Sequence, residues 1–356
     1  MNKVFVIAEA GVNHNGSLDL ALQLIDAAQQ AGADAVKFQT FKSEAVISLA
    51  APKADYQISA TGKEESQLDM VRKLELSGND HRRLLAHCRT RGILFLSTPF
   101  DPGSADFLVR ELDVPLLKIP SGEITNAPFL LHIARLGRPV ILSTGMSTLG
   151  EVEMALGILA FAYLGIPGTP SQRAFLDAFA SDAGQEVLRK KVSLLHCTTE
   201  YPAPFDQVNL RVMDTLTAAF GLPVGLSDHT PGIAIPIAAV ARGARIIEKH
   251  FTLDRSLPGP DHMASLEPGE LTAMLAGIRQ VEAALGDGHK RPTAAEQGNQ
   301  TIARRSLVAA CKVAAGETWS SENLTCKRPG SGISPLRYWE YLGKPAIRDH
   351  RADELL

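Results

Sequence analysis

The sequence predicts an α/β protein, a (β/α)8 barrel of the TIM type followed by a small β-rich unit, and three observations predict it. Eight short apolar runs rich in β-formers are separated by amphipathic stretches, polar residues gather where those runs end, and the pattern changes after Leu285. A chain of 356 residues also suits one barrel of about 250 residues with a smaller module attached.

The runs are Val4 to Ala10, Ala35 to Gln39, Leu94 to Ser97, Leu116 to Ile119, Val140 to Ser143, Val192 to Cys197, Val224 to Ser227 and Arg245 to Phe251. Each is short and nearly unbroken in its apolar character, as strands buried on both faces require. Between the first two, Ser17 to Ala31 carries Leu18, Leu22, Ile25 and Ala28 at helical spacing, with Gly32 placed as a stop. No glycine-rich phosphate fingerprint follows the first run, which favours a closed barrel over an open doubly wound sheet.

Two places break the alternation. Phe41 to Asp80 is too long for an ordinary strand-to-helix loop, and its polar middle, Ser59 to Glu65, reads as an excursion over the barrel mouth, a lid. Gly286 to Pro292 ends the last helix, and the polar stretch to Gln300 has a linker's composition. The expected organisation is therefore a barrel domain over residues 1–285, a linker over 286–301 and a second domain over 302–356. That last unit reads as short strands and turns at Ser306 to Ala310, Ala315 to Thr318 and Lys327 to Gly332. It is too small for a self-sufficient core and is expected to pack on a barrel, its own or a partner's.

Composition narrows the function. Apolar residues at 45% and charged residues at 21% are globular values, and no apolar run approaches the 18 or so residues of a membrane span. Glu9 interrupts the N-terminal apolar run before a signal-peptide core can form, so a cytoplasmic enzyme is expected. A net charge of −3 offers no basic face for nucleic acid or anionic lipid, so a bound anion must be held by a few focused cations. Cys88, Cys197, Cys311 and Cys326 fall in no metal-like spacing and read as packing residues.

Active sites of such barrels form at the C-terminal ends of the strands. Here those ends carry Glu9, Lys37 and Gln39, Thr98, Lys118 with Ser121 and Glu123, Ser143, His196 with Thr198 and Tyr201, Ser227 with His229, and Glu248 with His250. Lys37 and Lys118 with the hydroxyls of Thr98, Ser121, Ser143 and Ser227 form a candidate site for phosphate and carboxylate. The alternative is that the lysines pair with Glu9, Glu123 or Glu248 as ion pairs lining the barrel. His229 and His250 end adjacent strands, so they suit either a divalent metal that polarises a carbonyl or a plain hydrogen-bonded network. His14, in Asn13-His14-Asn15-Gly16, has a functional and a turn-forming reading, and His196 reads equally well as a core residue.

These segments in order, Ile7 to Gly16, Val36 to Thr40, Ser97 to Phe100, Lys118 to Glu123, Ser143 to Met146, His196 to Pro202, Gly225 to Thr230, Glu248 to Thr252 and Gly259 to His262, resemble the N-acetylneuraminate (sialic acid) synthase family. Lys327 to Pro335 resembles that family's C-terminal antifreeze-like (SAF) domain. The resemblance implies a (β/α)8 barrel with the small domain exchanged across a homodimer. It also implies condensation of phosphoenolpyruvate with an N-acylated amino sugar aldehyde. Under it, His229 and His250 match metal ligands, for manganese or magnesium, and Lys37, Thr98, Lys118, Ser121, Ser143 and Ser227 match the phosphoenolpyruvate site. Glu123, Tyr201 and Asp261 match positions near the sugar, Glu9 matches the carboxylate of the water-adding step, and Arg328 matches the arginine that reaches the partner's site; Gln39 and Thr199 are also expected to bind substrate.

Departures from the family pattern sit at the sugar end: Thr199 where some members have Asn, Arg304-Arg305-Ser306 where some have Phe-Ala-Ser, and a lid, Lys53 to Gln57 with Gln67, that aligns poorly. The motif Ser121 to Asn126 also resembles legionaminic acid synthases. N-acetylmannosamine is the expected acceptor, with 2,4-diacetamido-2,4,6-trideoxymannose as the alternative. Two rivals are weaker. A barrel synthase acting on a phosphorylated sugar would need a second phosphate site, and a non-catalytic sugar- or ice-binding protein would leave the polar strand ends without purpose.

Overall fold

A computed structural model describes residues 3–54, 57, 58, 62 and 64–356, in two compact units, Met1–Gly286 and Asp287–Leu356. In the first, eight parallel strands follow one another: β1 Phe5–Gly11, β2 Ala35–Thr40, β3 Leu94–Pro99, β4 Leu117–Ile119, β5 Val140–Ser143, β6 Val192–Cys197, β7 Val224–Asp228 and β8 Ile246–His250. They are hydrogen-bonded in the order β3-β2-β1-β8-β7-β6-β5-β4. β3 and β4 lie side by side and complete the barrel, with no ladder between them among the described residues. Each expected strand is present, two with the expected ends and six shifted at one or both ends by a residue or two.

Period-two alternation sorts each strand into an inner and an outer row. The lowest inner residues, Ile7, Ala35, Leu96, Ile141, Leu195 and Ile246, pack together and plug the barrel floor. Two positions further along, the inner row turns polar: Glu9, Lys37, Thr98, Ser143 and Glu248. The outer row, with Val6, Phe38 and Leu226, joins the surrounding helices in the main core. A strand that is apolar outside and apolar then polar inside gives the nearly continuous hydrophobic run seen in the sequence.

The helices obey their local signals. Leu18–Ala31 is capped by Ser17, whose hydroxyl accepts from the Leu20 N–H, and stops at Gly32 with φ +87°, a conformation that favours glycine. Thr148 and Glu151 form a reciprocal capping box at the start of Leu149–Tyr163, and Pro268–Leu285 is the last barrel helix.

In the excursion between β2 and β3, Ser43–Val46 and Gln67–Arg72 are helical, and Leu74 packs with Val12 and Phe41 in a small satellite core. Of the proposed lid, residues 55, 56, 59–61 and 63 lie outside the described residues.

The second unit differs from its sequence reading in two ways. Ala294–Ala303, within the stretch read as linker, is an exposed helix started by a Thr293–Glu296 capping box. Its strands β9 Ser306–Ala309 and β10 Leu324–Lys327 pair antiparallel. The strand placed at Lys327 to Gly332 therefore ends where it was expected to begin. Leu324-Thr325-Cys326 suits a sheet, whereas Pro329 lacks an N–H and Gly330 and Gly332 favour turns. Ala315 to Thr318 contributes a single bridge, Thr318 to Pro345. Leu307, Val313, Trp319 and Leu324 form the unit's small core.

Candidate active site

The C-terminal ends of the barrel strands enclose a cavity of about 270 Å³. Its floor is a chain of buried charges. Lys37 Nζ lies 2.7 Å from Glu9 Oε2, at an angle poor for a hydrogen bond, and 3.7 Å from Glu248 Oε2, while it donates to Thr98 Oγ1 at 2.8 Å. Lys118 Nζ donates to Glu248 Oε1 at 3.1 Å, and Ser227 Oγ donates to the same oxygen at 2.9 Å. Two ammonium groups and two carboxyl groups thus share one buried space.

The environment drives those carboxylates apart. Burial pushes Glu9 up to about 7, against the pull of Lys37 and with the help of neighbouring Glu248. Glu248 suffers the same burial, but Lys118 and Lys37 outweigh it and hold the carboxyl down at about 2. Lys37 shows the converse: burial opposes its charge, yet Glu248 and Glu9 raise its pKa. Pairs of titratable groups driven apart in this way mark sites where one group holds charge and another moves a proton.

Beside the lysines stand hydroxyls. Ser143 Oγ is buried with no hydrogen-bond partner among the described residues, although it lines the cavity. Ser121 Oγ accepts from the Gly145 N–H at 3.0 Å and contacts Cys197 Sγ at 3.1 Å. A Cβ at Gly145 would lie 2.4 Å from Thr199 Oγ1 and 2.8 Å from Ser121 Oγ, so any larger residue there displaces both hydroxyls.

On the opposite wall, His229 and His250 have ring centroids 5.5 Å apart, and Tyr201 lies 4.2 Å from His229. His229 Nδ1 is 2.6 Å from the Thr198 carbonyl, so that nitrogen carries the proton and Nε2 keeps its lone pair. His250 Nδ1 is buried and has no hydrogen-bond partner among the described residues. Burial lowers both pKa values, so both rings are neutral. Neutral imidazoles with a fixed tautomer and an orphaned nitrogen are the donors that a divalent transition cation takes, so the pair fits such an ion. Among the described residues no third His, Cys, Asp or Glu joins them in a ligating cluster. Asp261 completes the wall, its carboxyl pushed up to about 6 by burial alone.

Most residues expected from the sequence thus meet in one place: Glu9, Lys37, Gln39, Thr98, Lys118, Ser121, Ser143, Thr199, Tyr201, Ser227, His229, His250 and Asp261 all line the cavity. Glu123 does not, because the short turn Ser121–Glu123 directs its carboxylate to the Asn126 amide at 2.7 Å. Arg328 belongs to the second unit, where it is exposed. The alternative reading of the lysines is what the structure contains, ion pairs with Glu9 and Glu248 but, among the described residues, not with Glu123, and these are made among the hydroxyls of the candidate anion site. His14 supports the turn reading: its Nδ1 accepts from the Gly16 N–H, Asn15 has φ +51°, and the ring is absent from the cavity wall. His196 lies between inward-facing Leu195 and Cys197, points outward and bonds the Val208 carbonyl at 2.6 Å.

Glu248 also lines the cavity, although the sequence set it among the polar strand ends and gave it no part beyond that of a possible lysine partner. Its two-residue spacing from His250 on one strand face is the signal that places it in the site. Cys197 is likewise part of the cavity wall and Cys311 is exposed, so neither is simply a packing residue.

Comparison with known proteins agrees with this geometry. Residues 24–290 match the NeuB family and residues 304–356 match the SAF domain. The N,N'-diacetyllegionaminic acid synthase of Campylobacter jejuni is 51% identical over 100% of this chain and 99% of its own length. The protein of that name from Legionella pneumophila is 46% identical over 95% of this chain and 89% of its own. Among solved structures, the N-acetylneuraminic acid (sialic acid) synthetase of Leptospira borgpetersenii aligns with a TM-score of 0.67 at 35% identity, covering 84% of this chain and 90% of that one. With the barrel, its charged mouth and the small β unit all accounted for by one pair of matches, the chain belongs to the NeuB family, with a C-terminal SAF domain.

Proposed function

We propose that this protein is an N,N'-diacetyllegionaminic acid synthase, which condenses phosphoenolpyruvate with 2,4-diacetamido-2,4,6-trideoxymannose and water and releases phosphate. The observation that carries the reaction is the pair of buried lysines with hydroxyls around them, including the partnerless Ser143, at one barrel mouth. The acceptor rests on likeness to the Campylobacter and Legionella synthases across nearly the whole chain. The expectation of N-acetylmannosamine gives way to the trideoxy sugar on that ground.

In this reading Lys37 and Lys118 hold the carboxylate and phosphate of phosphoenolpyruvate, with Thr98, Ser121, Ser143 and Ser227 donating to the remaining oxygens. A divalent cation, manganese or magnesium, held by His229 and His250 would make the open-chain aldehyde carbon more electrophilic. C3 of phosphoenolpyruvate forms the new bond to that carbon as the carbonyl π pair moves onto the sugar oxygen, which takes up a proton to become a hydroxyl, and positive charge is left at C2. Glu9, poised near neutrality, stabilises the developing cation and takes a proton from the water that adds at C2. Phosphate then departs by cleavage of its C–O bond. Tyr201 and Asp261 face the sugar. The SAF domain, with Arg328, is proposed to complete the site of a second copy in a homodimer.

The test compares kcat/KM for the two acceptors by phosphate release. A preference above about a hundredfold for the trideoxy sugar is expected from a matched amide and a matched apolar wall. A comparable preference for N-acetylmannosamine would return the assignment to an N-acetylneuraminate synthase.

A further inference from the structure

Strands β7 and β8 each deliver one imidazole to the cavity, and the residues beside those imidazoles are tied together behind the barrel wall. Asp228 and Lys249 are direct register partners in the β7–β8 ladder. Alternation turns both outward, while Ser227 and Glu248 before them face inward. Both are nonetheless sealed from solvent, with side chains 1% and 0% exposed, and Lys249 Nζ meets Asp228 Oδ2 at 2.5 Å. Lys249 also donates to the Thr230 carbonyl. Asp228 in turn accepts from the Thr230 N–H at 3.2 Å and from the Thr230 hydroxyl at 3.0 Å.

His229 is therefore enclosed: one ammonium grips the residue before it and the residue after it, and that ammonium belongs to the residue immediately before His250. A fully buried ion pair is a poor way to gain stability, because desolvation offsets its attraction. What it does supply is a fixed geometry, since one ammonium and one carboxylate together hold the Thr230 N–H, hydroxyl and carbonyl. We infer that Lys249 and Asp228 are positioning residues that set the separation of His229 and His250, and so determine divalent-cation affinity without touching the cation. This inference rests on the reading of those two histidines as the cation-holding pair.

The test measures Mn²⁺ binding to chelator-treated full-length protein by calorimetry, alongside thermal unfolding. The double variant Asp228→Leu/Lys249→Met replaces the pair by apolar groups of similar length, leaves no lone buried charge, and is expected to fold but to unfold below the wild-type temperature, because three Thr230 groups lose their partners. Its Mn²⁺ dissociation constant should rise by about tenfold or more, the usual effect of removing outer-shell support. The uncharged, hydrogen-bonding variant Asp228→Asn/Lys249→Gln, which leaves no lone buried ammonium, covers the case in which the apolar variant does not fold, and should weaken binding by several-fold. Wild-type affinity, within twofold, in a folded variant would overturn the inference and leave the pair a plain structural brace. Absence of Mn²⁺ binding to the wild type would overturn both this inference and the metal reading.

Discussion

Lys118 on β4 and Glu248 on β8 meet at 3.1 Å across the barrel, from strands four places apart in an eight-stranded wall. The long side chains bridge the lumen, so the ammonium is displayed at the cavity floor. If that ammonium holds phosphoenolpyruvate, Lys118→Met should weaken calorimetric binding about 10- to 100-fold, as expected for a charged hydrogen bond to an anion. Unchanged affinity would mean that the lysine serves only Glu248.

Asp261 links the site to pH. Burial raises its carboxyl to about 6 in the folded protein, whereas the unfolded chain titrates near its ordinary value. The folded state therefore binds this proton more tightly. The resulting stabilisation is complete below about pH 4 and is lost as pH rises through about 6. Asp261→Asn should remove that dependence, gaining on the wild type by up to about 3 kcal/mol between those limits. Urea midpoints measured from pH 4 to 7 check this, and parallel curves for the two proteins would contradict it.

Gly145→Ala places a methyl group against Thr199, Ser121 and Cys197, all through side-chain ends that can give way. The fold should survive with a loss of about 1 kcal/mol or less, while KM for one or both substrates rises about tenfold as Ser121 and Thr199 are displaced. A large fall in melting temperature with unchanged KM would show that the glycine serves packing alone.

Chelation should abolish phosphate release, with restoration by manganese, and His229→Ala/His250→Ala should remain inactive under both conditions. Full turnover by the metal-free double variant would end the metal reading.

The proposed exchange of SAF domains is checked by complementation. Arg328→Ala and Glu9→Gln proteins, each inactive, should regain activity when subunits are allowed to exchange, because one site of each mixed dimer then has both residues. If Arg328 served its own subunit, every site would keep one lesion and the mixture would stay silent.

The barrel strands were legible because both rows of each strand are buried, which leaves a mark in composition that needs no partner to read. Lys37, Ser143, His229 and His250 were legible for a related reason, since polar residues ending such strands have few other uses. Glu123 misled because its position at a strand end resembles theirs, whereas a tight turn after Pro120 carries it to Asn126. The helix Gln67–Arg72 was hidden by its brevity, since six residues show too little periodicity, although Ser66 caps it. Strand β10 was misplaced because Lys327 to Gly332 is the more distinctive motif and Leu324-Thr325-Cys326 the more ordinary one. Glu248 shows the deeper limit, as its weight comes from distances to Lys37, Lys118 and Ser227 that only the closed barrel creates.

The seam between β3 and β4 gives the candidate ligand a mechanical part. Thr98 stands at the end of one seam strand and Lys118 on the other, and no backbone ladder ties those strands together among the described residues. Between every other pair of neighbouring strands the barrel is sewn by amides. An anion engaged by Thr98 and Lys118 together would act as the missing stitch, so that filling the site also tightens the wall around it.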